Sequence, residues 1–469
     1  MEIQFLNGVK STTGSMFKVS FENKKILLDC GIIEGNRDVS DKLNKNFPFK
    51  PEDIHSVILS HAHLDHCGRI PLLVKEGFNG SIFCTGATLD LTGAVLRNSA
   101  HNFEKDAEFI NQLEPFENKK VEPLYCLADA ELSLYHFQGI GFRRTFHVLR
   151  DVSCTFYNAG HILGSAISVL ELKNPMGVKG TTKILYTGDM GRKYQPMLMS
   201  PEIVRDIDYI IVESTFGDTK KFNINEEKEK LINIINKTIR NGGKVIIPAF
   251  SIDRIQELLC YINDYLSTSE YSGTPIFIDS ALSVNITEML RHHSECYDDK
   301  TRFKLLNDED PFGFESLNYI RSVEKSKMLN SYEKPCIIIS SSATCESGRI
   351  LHHLKHNISN EKNAIIFTNY MAEGTLGNKL VEGKKDVEIF GENYRVNAEI
   401  HQLYGFSAHP DSGDIMDYIE FCNTGVERTI KKIFVVHGGE KQSTELAEKI
   451  KKYLHIESVV PDQGESFEL

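Results

Sequence analysis

The chain has 469 residues, 41% of them apolar, which is enough to bury two or three separate cores and too much for a disordered protein. A formal net charge of -12 excludes a protein that coats nucleic acid through a broad basic face, but not a nuclease that meets phosphate through bound divalent cations. The start of the chain has no basic-then-apolar leader pattern and no apolar run reaches membrane-spanning length, so a soluble cytoplasmic protein without a membrane partner is expected. Ten cysteines occur singly with no Cys-x-x-Cys pair, the pattern of reduced thiols.

In chain order, Lys25-Ile26-Leu27-Leu28 reads as a strand closed by Asp29-Cys30-Gly31. Asp29, at a strand end, is expected to orient a metal-bound histidine rather than to bind the metal itself. The apolar run Ser56 to Ser60 reads as a buried strand and empties into His61-Ala62-His63-Leu64-Asp65-His66. Four metal-grade side chains thus fall within six residues. His61 and His63 can face one ion, while Asp65 and His66 can face a second at the roughly 3.5–4 Å separation of two-metal hydrolases. Residues 68–76 look like the start of a helix, 88–112 are helical in period, and 114–121 read as a surface loop.

His161 follows, flanked by Gly160 and Gly164, which let the backbone approach a site closely. The strand Lys183 to Tyr186 ends in Thr187-Gly188-Asp189, and a carboxylate at that place can bridge two cations, as a neutral imidazole cannot. Tyr209 to Val212 is a further strand, ending in Glu213. From 218 to 400 the pattern changes to helices alternating with strands at 244–247, 276–278, 336–339 and 364–367, which implies a parallel sheet covered by helices. Residues 295–335 read as a long loop with short helices. From 401 the ligand pattern resumes, with His409 in a loop before a helix and His437 at the end of the strand 432–436. The expected organisation is one metal domain, 1–217 and 401–469, interrupted by an α/β insertion, 218–400.

These motifs resemble the metallo-β-lactamase superfamily and, within it, the β-CASP nucleases of nucleic-acid processing. The run 61–66, His161 and Asp189 are similar to the superfamily's metal motifs, with Asp29 as its early aspartate. Glu213 in Glu-Ser-Thr-Phe-Gly, His409 in Phe-Ser-Ala-His-Pro-Asp and His437 in His-Gly-Gly-Glu resemble the three further motifs of the β-CASP group. The resemblance implies a four-layer αββα metal domain carrying a β-CASP α/β domain with a mostly parallel sheet. A histidine at the last motif implies RNA rather than DNA as substrate. Similarity is greatest to the branch of the messenger-RNA 3′-end-processing endonuclease and its bacterial and archaeal relatives.

On this reading one zinc ion falls to His61, His63, His161 and Asp189, and a second to Asp65, His66, Asp189 and His437. Nitrogen and oxygen donors without thiolate suit zinc, and suit manganese or iron as well. The expected reaction is hydrolysis of RNA by a hydroxide that the two ions activate, leaving 5′ phosphate and 3′ hydroxyl, endonucleolytic or from the 5′ end. Asp65 and His409 are the expected catalytic groups, with Glu213 positioning His409 as the acid. Arg254, Ser340, Ser341 and Arg349 are expected to touch RNA phosphates, and Phe250 to be core. His352, His353 and His356, without acidic or thiol companions, read as helix-surface residues. RNA is the expected partner, and a homodimer or an RNA-processing complex is compatible with the sequence. The alternatives are a small-molecule hydrolase of the same superfamily and a non-catalytic subunit of such a complex.

Overall fold

The computed structural model describes the chain apart from residues 36, 114–119, 175–179, 194, 220–222, 251, 253, 267–270, 308–311, 370, 372–373 and 427–428. It divides into two compact units, Met1–Lys221 with His409–Leu469, and Phe222–Ala408.

The first unit is built on two seven-stranded sheets. One runs, in spatial order, Ser466–Glu468, Glu2–Asn7, Met16–Phe21, Lys24–Leu28, Ser56–Ile58, Ser81–Cys84 and Phe137–Gly139. The other runs Ser458–Val459, Lys432–Val436, Tyr209–Glu213, Thr181–Tyr186, Ala166–Lys173, Val152–Asn158 and Thr145–Leu149. Phe5, Phe17, Ile26 and Ile58 from the first meet Phe156, Leu170, Tyr186 and Phe434 from the second in one buried cluster, so the sheets stack face to face. The outer face of the second sheet packs Val212, Ile433 and Val435 against Ile415 and Ile419 of helix Ser412–Cys422 and Leu446 of helix Glu440–Lys449. Helices Ile70–Lys75, Gly86–Leu113 and Leu127–Leu134 belong to the same unit. This is the αββα arrangement. Its central strands are apolar on both faces, as in the fully buried Val57-Ile58 and Ile210-Ile211-Val212, because each face has a layer to cover it.

Parallel registers bring the carboxyl ends of these strands level: Leu28 pairs with Ile58, Tyr186 with Ile211, and Glu213 with Val436. Asp29, the run His61 to His66, Asp189 and His437 follow those ends, whereas His161 follows the antiparallel strand Val152–Asn158 and His409 lies in the loop before helix Ser412–Cys422. Asp411 caps the helix after His409, its Oδ1 accepting from the amides of Gly413 (2.8 Å) and Asp414 (3.1 Å).

The second unit has a six-stranded sheet in the order Leu317–Tyr319, Ile276–Asp279, Cys336–Ser340, Lys244–Pro248, Ala364–Phe367 and Glu399–Gln402, with every adjacent pair parallel. Helices Ile224–Arg240 and Arg254–Leu266 cover one face and Ile350–Asn357 and Leu376–Val381 the other. Two expectations change. The stretch 295–335 contributes the edge strand Leu317–Tyr319. The compact unit also runs to Ala408 rather than ending at 400, because Glu399–Gln402 adds a strand to its sheet. Among the described residues no helix is long and apolar enough to cross a membrane.

Candidate metal centre

The ligand-type residues within 61–66 and at 161, 189, 213, 409 and 437 lie in the first unit, where three overlapping groups share the Asp189 carboxylate, the third joining Glu213 and His409 to Asp189 and His437. In the first cluster His61 Nε2 and His161 Nε2 lie 3.0 and 3.4 Å from His63 Nδ1, and 3.6 and 3.7 Å from Asp189 Oδ2. In the second, Asp189 presents its other oxygen, Oδ1, 3.3 Å from His66 Nε2 and 3.2 Å from His437 Nδ1. Asp65 Oδ2 is 3.3 Å from His437 Nε2 and 3.6 Å from His66 Nε2. A tetrahedral ion with ligands at about 2.0–2.1 Å has donor-to-donor edges of about 3.3–3.4 Å. The observed separations are of that size, and the donors are lone-pair nitrogens and carboxylate oxygens converging out of water. The residues therefore fit metal binding.

The backbone is shaped to allow this. Gly31 lies against the Asp65 carbonyl so closely that an added Cβ would come 1.6 Å from that oxygen. Asp29 and His437 hold left-handed backbone (φ 60° and 48°), the kind of strain that gathers at functional sites. Asp29 is fully buried and accepts hydrogen bonds from His66 Nδ1, Ser60 Oγ and Tyr186 Oη, each 2.6 Å, and from the Ser60 amide at 2.7 Å. It does not join the donor clusters and instead holds the outer ring nitrogen of His66 by a hydrogen bond.

Burial pushes His61 well down and His63 down to about 4, which leaves both imidazoles neutral with lone pairs to give. For His66 burial works the same way, but the Asp189 and Asp65 carboxylates outweigh it and hold the ring well above its usual range. A cation seated there takes the place of that proton. Glu213 is fully buried, with Oε1 accepting from the Met190 amide at 2.6 Å and Oε2 from His409 Nδ1 at 2.9 Å. Burial opposes charge on His409, yet Glu213 wins and raises it. The ring lies tilted beside His161 with centroids 4.6 Å apart, next to the first cluster.

The expected phosphate contacts fare differently. Ser340 is fully buried and donates to the Asp279 carbonyl at 2.8 Å. Arg349 turns inward, donating to Asp279 Oδ1 (2.6 Å) and to the carbonyls of Ile320 (3.1 Å) and Arg321 (2.8 Å). Both are tied inside the second unit, and Ser340, fully buried, has no surface to offer an RNA phosphate. Ser341 Oγ bonds Ser280 Oγ at 3.3 Å, and the side chain of Arg254 lies outside the described residues. His353 is likewise not a surface residue: it is buried and its Nε2 sits 2.7 Å from Asp279 Oδ2, an acidic partner 74 positions away in sequence. Phe250 is 40% exposed rather than core. Sequence reasoning missed Ser60, Tyr186 and Asp279. Only Asp279 carried a signal, an acid closing an apolar strand in the manner of Asp29 and Asp189.

The stacked sheets and the shared-carboxylate donor set define a hydrolase of the metallo-β-lactamase superfamily, and residues 18–207 match that superfamily's domain. Residues 255–380 match the Beta-Casp domain and 393–461 the Zn-dependent metallo-hydrolase RNA specificity domain. The chain is 31% identical to an RNase J-like protein of Methanocaldococcus jannaschii over 98% of each, and 29% identical to a ribonuclease of Thermus thermophilus over 94% of each. It is also 30% identical to the transcription termination factor FttA of M. jannaschii, over 98% of this chain and 70% of that one. A solved protein of unknown function from Enterococcus faecalis shares the fold, with TM-score 0.54, 11% identity and 99% of each chain covered. The chain belongs to the β-CASP family.

Proposed function

We propose that this protein is a ribonuclease that hydrolyses internal RNA phosphodiester bonds, leaving 5′ phosphate and 3′ hydroxyl ends. The observation that carries the reading is the pair of donor clusters sharing Asp189, set beside the buried Glu213–His409 pair. The RNA specificity domain match and relatives named as ribonucleases support RNA as the polymer. One zinc ion falls to His61, His63, His161 and Asp189, and a second to Asp65, His66, Asp189 and His437. When bound, such ions supply Lewis acidity toward the phosphate and acidify water to near neutrality.

The chain's own residues do the rest. Asp189 places one carboxylate oxygen toward each donor cluster and so sets their spacing. Glu213 accepts the Nδ1 proton of His409, which fixes the ring and leaves Nε2 as the atom that carries the second proton. An imidazolium held charged in this way protonates the departing 3′ oxygen. The ribose 2′ hydroxyl takes no part in such a route, so preference for RNA arises in binding.

The test is cleavage of an internally labelled RNA by protein of measured metal content, beside His63→Ala and His409→Ala. Fragments with 5′ phosphates are expected, and they disappear in both variants. Wild-type protein carrying two metal equivalents that leaves every RNA intact while hydrolysing small esters overturns the reading in favour of a small-molecule hydrolase.

A further inference from the structure

The Asp29 carboxylate reaches both donor clusters, and it reaches the first through a serine. Ser60 stands immediately before His61 and is 1% exposed. Its Oγ lies 2.6 Å from Asp29 Oδ2 and 3.0 Å from His61 Nδ1. A hydroxyl has one proton. The serine donates that proton to Asp29 Oδ2, so the contact with His61 must use a proton on Nδ1. His61 is thereby fixed as the Nδ1–H tautomer, with its Nε2 lone pair toward His63 and Asp189. His66 is fixed in the same tautomer by direct contact of its Nδ1 with Asp29 Oδ2 at 2.6 Å.

The seat of the hydroxyl is built as well. Gly188, just before the shared Asp189, adopts φ +53°, and a Cβ on it would meet Ser60 Cβ at 2.5 Å and Oγ at 2.8 Å. The absence of a side chain at 188 is what leaves room for Ser60. Tyr186, from the same strand end, donates its hydroxyl to Asp29 Oδ2 at 2.6 Å and lies within hydrogen-bond reach of Ser60.

We propose that Ser60 is a positioning residue that extends the orienting effect of Asp29 to His61, so that one buried carboxylate sets the tautomer of one imidazole in each metal cluster. This rests on the two-metal reading above. Removing the serine hydroxyl takes the 3.0 Å contact from His61, whereas His66, whose Nδ1 lies 3.5 Å from the same hydroxyl, keeps its shorter 2.6 Å bond to Asp29, so the loss falls chiefly on the cluster that contains His61.

The experiment uses the full chain in three forms, wild type, Ser60→Ala and Tyr186→Phe. Stepwise zinc affinities are read by competition with a chromophoric chelator, and the His61 tautomer is read in metal-free protein from its 15N shifts. In Ser60→Ala one zinc step is expected to weaken about 10- to 100-fold, the range for partners that orient a ligand, while the other step stays within about threefold. His61 changes from a single Nδ1–H tautomer to a mixture. Tyr186→Phe, which removes a different bond to Asp29, leaves the His61 tautomer as in wild type. Equal weakening of both steps in Ser60→Ala, an unchanged His61 tautomer, or an equal tautomer change in Tyr186→Phe overturns the proposal. Wild-type protein that binds fewer than two zinc ions overturns the two-metal reading instead, and the metal-free tautomer still tests the role of Ser60.

Discussion

Replacing Arg349 with methionine separates its two readings, phosphate contact or internal tie. The methionine keeps most of the apolar stem and removes the guanidinium. Asp279 is fully buried and now loses its 2.6 Å contact with Nη1, while the carbonyls of Ile320 and Arg321 lose their donors. Breaking one side of a buried ion pair costs about 3–5 kcal/mol. Asp279 keeps His353 at 2.7 Å and Ser326 at 2.5 Å, and the Arg349 side chain is 22% exposed, so water screens part of the loss. A destabilisation of about 2–4 kcal/mol follows once the pair is discounted for that exposure. At 1.36 kcal/mol per decade this is about 30- to 1,000-fold faster amide exchange in the second unit.

The effect also has a pH signature. Burial raises the Asp279 carboxyl, but His353, Ser326 and Arg349 outweigh it and hold the group below its usual range. A carboxyl depressed on folding contributes stability that is present above its unfolded pKa of about 3.9 and is lost as pH falls through the folded value. The variant has less of this to lose, so its deficit is expected at neutral pH and narrows in acid below about pH 4. The assay is hydrogen exchange of the strands Ile276–Asp279 and Cys336–Ser340, with RNA affinity measured alongside. Unchanged exchange with a tenfold loss of RNA affinity would refute the reasoning and restore Arg349 as a phosphate contact.

Asp29→Asn keeps the left-handed backbone, which asparagine tolerates, but removes the charge that serves both histidines. Both zinc steps are expected to weaken about 10- to 100-fold in equilibrium dialysis, and loss confined to one step counts against the shared role. Glu213→Gln removes the charge that raises His409. An acid must be protonated to act, so the alkaline limb of the pH–kcat profile moves to lower pH, by about one unit for each 1.4 kcal/mol of interaction lost. An unmoved limb removes His409 from the role of acid. Gly31→Ala drives a Cβ to within 1.6 Å of the Asp65 carbonyl, so backbone must yield. The melting temperature is expected to fall by several degrees and the zinc stoichiometry with it, and a variant indistinguishable from wild type in calorimetry and metal content contradicts the geometry.

The sequence alone carried the residues of the site because the local physics that makes a strand also marks its end. An apolar run such as Ser56 to Ser60 or Tyr209 to Val212 must be buried, and the first histidine or carboxylate beyond it cannot follow it inside without a partner. Every metal-grade residue at such an end was therefore legible, and so was the parallel sheet of the second unit, from helices alternating with strands. Tertiary structure alone decided what those residues do to one another. Tyr186 meets Asp29 across 157 positions and His437 meets Asp65 across 372, contacts fixed by how two sheets stack and not by any local pattern. The same holds for Ser340, Arg349 and His353, whose polarity suggested water or phosphate. Ser340 is spent on the Asp279 backbone carbonyl, and Arg349 and His353 on the Asp279 carboxylate, because a buried carboxylate draws hydrogen-bond donors from wherever in the chain the packing brings them. Which nitrogen of His61 faces the metal cluster was likewise settled by one hydroxyl proton and by the space that Gly188 leaves for it.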